Sequence, residues 1–443
     1  CFYSWENEFI ETLGRNPNVK FLDETSQKRK NIYLQKLKTE LLTCHFSTAV
    51  NDIEQIINFL KNNNILLVID EAHNIKKIDG TWSNTILKLS NYAKFKVILT
   101  GTPMPNDFKD FYNYFDFLFP DKEILSNREK AQIEIFSEKK ETDQASNLLN
   151  MKIMPYYFRV TKKDLGLLIP KFNKPKIITM NNIERIIYDA ILTKMKFIED
   201  EKYINNLDFI NKIRRARIIR LRQTCSYVRN LKNTLLDYDL DDKYDELSGD
   251  KDIQRLIAYY DRKEEPEKLN VLLNMVSDLS NKKNKVIVWS GHLMSIDLIF
   301  NKLLQYGLNI AKITGKTDLH ERELIKKEFN DPESKLDVII ANPAACSESI
   351  SLHKDCKNAI YYDLNYNSAE FLQSLDRIHR VGGSENIIVE YDFLQYQNTI
   401  DTKIFKRVFE KADLQMKTIE KDNSIFSNIE NDNHDILYAE SIK

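Results

Sequence analysis

An α/β fold, with two parallel-sheet lobes joined by a helical insertion, is what three features of this sequence predict. Apolar runs of strand length recur along the 443 residues, their separations leave room for helical crossovers, and several of the runs end in or before polar residues. The runs form two groups, one at 65–69 and 95–99, the other at 286–290, 309–313, 337–341, 359–363 and 387–393. Between the groups, from 121 to 275, the pattern is charged and mostly helical.

In the first group, the run at 65–69 ends in Asp70-Glu71-Ala72-His73, so a buried strand delivers two carboxylates to its C-terminal edge. That edge is where open α/β sheets bind ligands. An Asp there can hold magnesium through water, and a neighbouring Glu can polarise an attacking water. The plainer alternative is a strand that ends in ordinary polar residues. The run at 95–99 leads into Thr100-Gly101-Thr102-Pro103, whose hydroxyls and tight turn suit a sensor of the γ-phosphate.

In the middle, Lys212, Arg214, Arg215, Arg217, Arg220 and Arg222 crowd one stretch. It reads either as a phosphate-tracking surface or as a structural helix whose arginines pair with acids. In the second group, Trp289 and His292 follow a strand and could face a nucleic acid, although a Trp there fits a core equally well. Further on, Gln373-Ser374-Leu375-Asp376-Arg377-Ile378-His379-Arg380 sets two arginines one helical turn apart, so both can point the same way. Paired guanidiniums suit a polyphosphate, because the planar fork is always charged and matches phosphate oxygens. A solvated amphipathic helix is the alternative.

Composition narrows the classes. The formal net charge of −1 exerts no global pull on nucleic acid, so any such binding must come from local patches. Five cysteines, Cys1, Cys44, Cys225, Cys346 and Cys356, form no CxxC pair and read as reduced thiols rather than staples or metal ligands. No run reaches the ~18 apolar residues of a membrane span, so no membrane partner is expected. After about 420 the apolar period fades into an Asn- and Asp-rich tail.

Taken together and in order, these segments resemble the Swi/Snf family of helicase superfamily two, ATP-driven translocases on double-stranded DNA. Trp5 with Glu8 and Phe9 resembles the segment after the first family motifs, and Asp70-Glu71-Ala72-His73 is the DEAH form of motif II. Leu99 to Pro103 with Asn106 is similar to motif III, and 159–165 with Pro170 and 221–225 are similar to stretches typical of this family. Motif IV is resembled by 286–290, motif V by 344–352 and motif VI by 373–380. The resemblance implies two RecA-like lobes using ATP and Mg2+. It implies catalytic roles for Asp70, Glu71, Arg377 and Arg380, with Asp70 organising magnesium through water, and nucleotide contacts at His73, Gly101, Thr102 and Gln373. DNA-binding or coupling positions would be Thr100, Ser290, Thr314, Lys316, Ser347 and Ser349.

The chain departs from the family pattern twice. Ser347, Ser349 and Ser351 stand in a motif V that is glycine-rich in the family, and no G-x-x-x-x-G-K-[ST] loop occurs, since Gly315-Lys316-Thr317 has Ile310 where the first glycine should be. The expectation is therefore that the first lobe lacks an N-terminal part carrying the lysine loop, and that residues 1–443 alone do not hydrolyse ATP at a DNA-stimulated rate. The expected divisions are 1–165 for the first lobe with a helical protrusion, 166–275 for the insertion and linker, 276–412 for the second lobe and 413–443 for a helix and polar tail. The resemblance implies either a motor of a bacterial restriction or phage-defence system, with other subunits of that complex as partners, or a chromatin remodeller. Asn-, Ile- and Lys-rich composition leans toward an AT-rich bacterial genome, hence toward a bacterial cytoplasm rather than a nucleus. A nucleotide-silent DNA-binding scaffold and a strand-separating DEAH helicase are the competing readings.

Overall fold

The computed structural model describes residues 2–34, 39–75, 79–101, 108–139, 141–158, 160, 162–201, 207–232, 251–346 and 350–415. These residues form two compact units that divide near residue 160.

In the first unit, strand β1 (Val19–Phe21) runs parallel to β2 (Leu41–Thr43), and β3 (Leu66–Ile69) runs parallel to β4 (Phe95–Ile98). The β3–β4 register aligns Ile69 with Ile98, so the residues that follow both strands leave from one edge. Helix Ile53–Asn62 places Ile56, Ile57 and Leu60 at helical spacing, and helix Thr81–Ser90 adds Ile86 and Leu89. These side chains are buried in one core with Ile69, Ala72 and Ile75, which holds the C-terminal end of β3 firmly.

The second unit is built on one seven-stranded sheet. Its strands are β5 (Lys171–Phe172), β6 (Lys176–Ile178), β7 (Lys285–Trp289), β8 (Ile310–Ile313), β9 (Val338–Ala341), β10 (Cys356–Tyr361) and β11 (Glu390–Tyr396). The order is β5-β11-β10-β7-β9-β8, with β6 also beside β11, and every pairing is parallel. All residues of β7 and β9 are buried, as expected of a parallel sheet covered on both faces. All seven runs read as strands from sequence are strands here, with ends shifted by a few residues. The short strands β5 and β6 were not legible, and they attach the start of the 166–275 stretch to the second sheet. The rest of that stretch is helical over Asn182–Glu201, Leu207–Ser226, Lys251–Lys263 and Glu267–Asn281. Trp289 is fully buried, which settles it as core. No helix among the described residues is long and apolar enough to cross a membrane.

A buried polar cluster fastens these helices to the sheet. Glu184 accepts hydrogen bonds from Tyr396 Oη at 2.8 Å, Tyr260 Oη at 3.3 Å and the Asn181 amide at 3.1 Å, while Asn181 Oδ1 accepts from the Glu184 amide at 2.8 Å. Nearby, the fully buried Lys268 ammonium pairs with Asp401 at 2.6 Å. Burial pushes the Glu184 carboxyl up to about 7, against the pull of Tyr396, Asn181 and Tyr260. Between the ordinary value of 4.5 and about 7 the native protein therefore holds a proton that the unfolded chain has released, and stability falls as pH rises through that window. Glu184→Gln should remove this dependence. The difference between wild-type and variant denaturation free energies should change by ~1 kcal/mol per pH unit at most inside the window, and a difference flat with pH would refute it.

Candidate functional site

One set of groups stands at the C-terminal edge of β3 and β4 in the first unit, and a second set stands in the second unit on the segment between helix Ser368–Leu375 and β11. In the first unit, Asp70 follows β3 and both of its oxygens carry a donor: Trp5 Nε1 at 3.0 Å on one and the Glu71 amide at 2.9 Å on the other. The segment is braced from below, because the Leu99 amide donates to the Ile69 carbonyl at 2.8 Å and the Ala72 amide to the Leu99 carbonyl at 3.1 Å. Ala72 and Ile75 are fully buried in a one-turn helix, Ala72–Ile75. Held in this way, Glu71 takes φ 48°, a left-handed conformation costly for a residue with a Cβ and found where structure enforces it. Its Oε2 lies 3.2 Å from His73 Nδ1. The motif therefore places Asp70, Glu71 and His73 together. Sequence reasoning did not assign Trp5 the role of holding Asp70.

Asp70 remains half-buried, and a carboxylate offers about four lone-pair sites of which two are occupied here. The geometry thus fits magnesium held through water, the mode expected of an ion that keeps its hydration and takes few carboxylates. Gly101 is exposed, with open space where a Cβ would stand, and Thr100 is half-buried. Thr102 lies outside the described residues.

In the second unit, helix Ser368–Leu375 starts from Asn367, whose Oδ1 accepts from the Ala369 and Glu370 amides. It ends at Leu375, before Arg377, so the two arginines do not share a helix face as their spacing suggested. They converge by another route. Arg377 is buried; its Nε donates to the Gln373 carbonyl at 3.0 Å and a terminal nitrogen to the Ile350 carbonyl at 3.3 Å. Arg380 is exposed and donates to Ser351 Oγ at 2.8 Å. Gln373 thus holds Arg377 through its backbone carbonyl. The Leu352 amide donates back to the Arg377 carbonyl at 2.8 Å, and a Cβ on Gly383 would lie 2.3 Å from the His353 carbonyl oxygen. Segments 350–353 and 377–383 therefore pack backbone to backbone, and only glycine fits at 383.

His379, between the arginines, accepts from Lys162 Nζ at Nδ1 (3.1 Å) and donates from Nε2 to the Leu168 carbonyl (2.8 Å). Burial, aided by the Lys162 charge, pushes its imidazole down to about 4, so it is neutral. Lys162 also pairs with Asp376. The 162–168 segment is thereby docked on 376–380, a role that its sequence did not disclose.

Between the C-terminal ends of β7 and β10 the strand order reverses, the usual place for a ligand crevice. Here it is filled by side chains. Asp363 accepts from Ser290 Oγ at 2.6 Å, Ser226 Oγ at 2.7 Å and the Gly291 amide at 2.8 Å. Burial works against the Asp363 charge, but His292 and these donors hold the carboxyl below its ordinary value, while burial pushes His292 down to about 4. Ser290 was read as a DNA-binding or coupling position. Its fully buried hydroxyl is instead committed to Asp363, which orders the loop after β7. Thr314 is also buried, and Lys316 is exposed on the turn after β8. Ser347 and Ser349 lie outside the described residues. Of the basic stretch, Arg220 is buried and structural, and it donates to Gln223 Oε1 and the Leu231 carbonyl, which are not the acids that the structural-helix reading expected.

Residues 2–234 match the family model of the SNF2-related domain, and 267–382 match that of the helicase conserved C-terminal domain. An uncharacterized ATP-dependent helicase of Mycoplasma pneumoniae is 26% identical over 97% of the chain, and the ISWI chromatin-remodeling complex ATPase ISW1 of Saccharomyces cerevisiae is 24% identical over 98%. The chain spans 37% of the length of each of these relatives. The solved C-terminal part of the Fun30 ATPase domain aligns with 57% of the chain at 18% identity and a TM-score of 0.40.

Proposed function

Because the chain belongs to the SNF2-related family of helicase-like ATPases, we propose that it is part of an ATP- and magnesium-dependent motor that moves along double-stranded DNA. The observation that carries this reading is two sets of groups: Asp70, Glu71 and His73 at a strand end in one unit, and Arg377 and Arg380, both tied to the 350–351 segment, in the other. Magnesium, when bound, supplies charge neutralisation on the phosphates. Asp70 orients it through water, with Trp5 fixing the carboxylate, and Glu71 takes the proton of the attacking water. His73, 3.2 Å away, steadies the Glu71 carboxylate. Arg377 and Arg380 stabilise charge on the β- and γ-phosphates, as arginine fingers do. We assign nucleotide contacts to Gly101 and Thr102, and the Gln373 carbonyl fixes Arg377.

Toward DNA, we assign Thr100, Lys316, Ser347 and Ser349 to binding or coupling, with Thr314 and Ser290 shaping the loops. The setting we favour is a bacterial cytoplasm, with subunits of a restriction or phage-defence complex as partners. A translocase must release every base pair it passes, so it holds phosphates and not base edges. Binding of fluorescent duplexes should therefore be nearly blind to sequence and should weaken steeply with salt, by a log–log slope of about −0.9 per phosphate contact. A strong preference for one sequence, or the absence of a salt slope, would contradict the reading. Displacement of a triplex strand without unwinding of a tailed duplex would separate translocation from strand separation.

A further inference from the structure

Arg322 lies in the first turn of helix Leu319–Phe329, whose start is fixed by Asp318 Oδ1 accepting from the Glu321 amide at 2.8 Å. Its side chain folds back over the helix start and meets three backbone carbonyls. Nε donates to Thr317 at 2.9 Å, one terminal nitrogen to Thr314 at 3.0 Å, and the other to Ala345 at 3.0 Å. Thr314 and Thr317 belong to the turn after β8, whereas Ala345 belongs to the turn Ala344–Cys346 after the neighbouring strand β9.

Each turn is closed in its own right. In the first, the Thr314 amide donates to Thr317 Oγ1 and the Lys316 amide to Thr314 Oγ1. In the second, Asn342 Oδ1 accepts from the Ala344 amide while its Nδ2 donates to the Gly291 carbonyl. Downstream of Cys346 the same strand-to-strand connection is caught again, by Arg377 at Ile350 and by Arg380 at Ser351. The Cys346 thiol is buried, and both Arg322 and Arg377 act on it electrostatically. One connection therefore carries Arg322 at its start and the motif VI arginines at its end.

We infer that Arg322 is a positioning residue that locks the Thr314–Thr317 turn to the Ala344–Cys346 turn, so that the two present one rigid edge to the DNA backbone. The inference rests on the reading of these loops as DNA-facing. A planar fork spreads its donors over three nitrogens in fixed directions and so reaches carbonyls on two separate turns, whereas an ammonium holds its three donors on one atom and cannot span the same acceptors. The role is thus specific to Arg, and its loss should loosen both turns together.

The test compares Arg322→Ala, Arg322→Lys and Phe329→Leu in the whole protein, the last being a core change on the same helix. Without any ligand, amide hydrogen exchange at 314–317 and 344–346 should accelerate together in Arg322→Ala and nearly as much in Arg322→Lys, while 350–352 stays protected. In DNA-stimulated ATP hydrolysis, the half-saturating duplex concentration should rise about tenfold, the effect of a 1.4 kcal/mol loss, with kcat at saturating duplex held within a factor of about two. Phe329→Leu should lower the melting temperature without this split. Full rescue by Lys, loosening of one turn alone, or an equal fall of kcat and DNA affinity matched by Phe329→Leu would each overturn the inference. If exchange behaves as expected but duplex DNA neither binds nor stimulates, the lock stands and its DNA-facing role falls with the proposed function.

Discussion

In the whole protein, Glu71→Gln should bind ATP and duplex DNA as the wild type does and lose ATP turnover by roughly 10²- to 10⁴-fold, the usual contribution of a general base. The substitution keeps the side chain's length and shape while removing the charge that takes the proton. Stability should barely move, because the contacts that hold the segment are backbone ones: the Ala72 amide to the Leu99 carbonyl, and the Asn74 amide to the Glu71 carbonyl at 3.0 Å. The strained φ of 48° belongs to the backbone and is unaffected by exchanging a carboxylate for an amide. Steady-state hydrolysis measured beside nucleotide binding decides the matter. Turnover near the wild-type rate would remove Glu71 from the reaction.

Arg380→Ala and Arg377→Ala should both cut hydrolysis by ~10³-fold or more, as loss of an arginine finger does, but they should differ in stability. Arg380 is exposed and holds Ser351 Oγ, so its truncation should leave the melting temperature nearly unchanged. Arg377 is buried between the Gln373 and Ile350 carbonyls, and its removal leaves both acceptors without that donor, a cost of about 1–3 kcal/mol. A thermal melt beside an ATPase assay separates the two effects. Loss of DNA binding with basal hydrolysis intact in both variants would make this segment a DNA contact instead.

How far the sequence could be read follows from the range of the interactions involved. Strands buried on both faces, such as β7 and β9, announce themselves as apolar runs, and the other runs, though partly exposed like β3 and β4, keep enough apolar residues to be legible. The carboxylates and arginines were legible because each follows such a run or sits in a dense local string. The two-residue strand β5 and three-residue β6 carry no such period. They exist because β11 offers them hydrogen-bonding partners more than two hundred residues away. The one-turn spacing of Arg377 and Arg380 predicted a shared helix face, yet the helix stops at Leu375, where the packing of 350–353 against 377–383 takes over the backbone.

From sequence alone came the seven long strand runs and the chemistry near them: two carboxylates after one strand, two arginines in a dense local string, and a motif order that names the family. Tertiary structure alone decided what each polar group does with its hydrogen bonds. It turned Ser290 inward to Asp363, docked Lys162 on His379, and set Arg322 across two turns. The reason is physical. Apolar periodicity is written locally and survives in any one-dimensional reading, whereas a buried donor must find whichever acceptor the fold brings within about 3 Å, and that acceptor can lie anywhere along the chain.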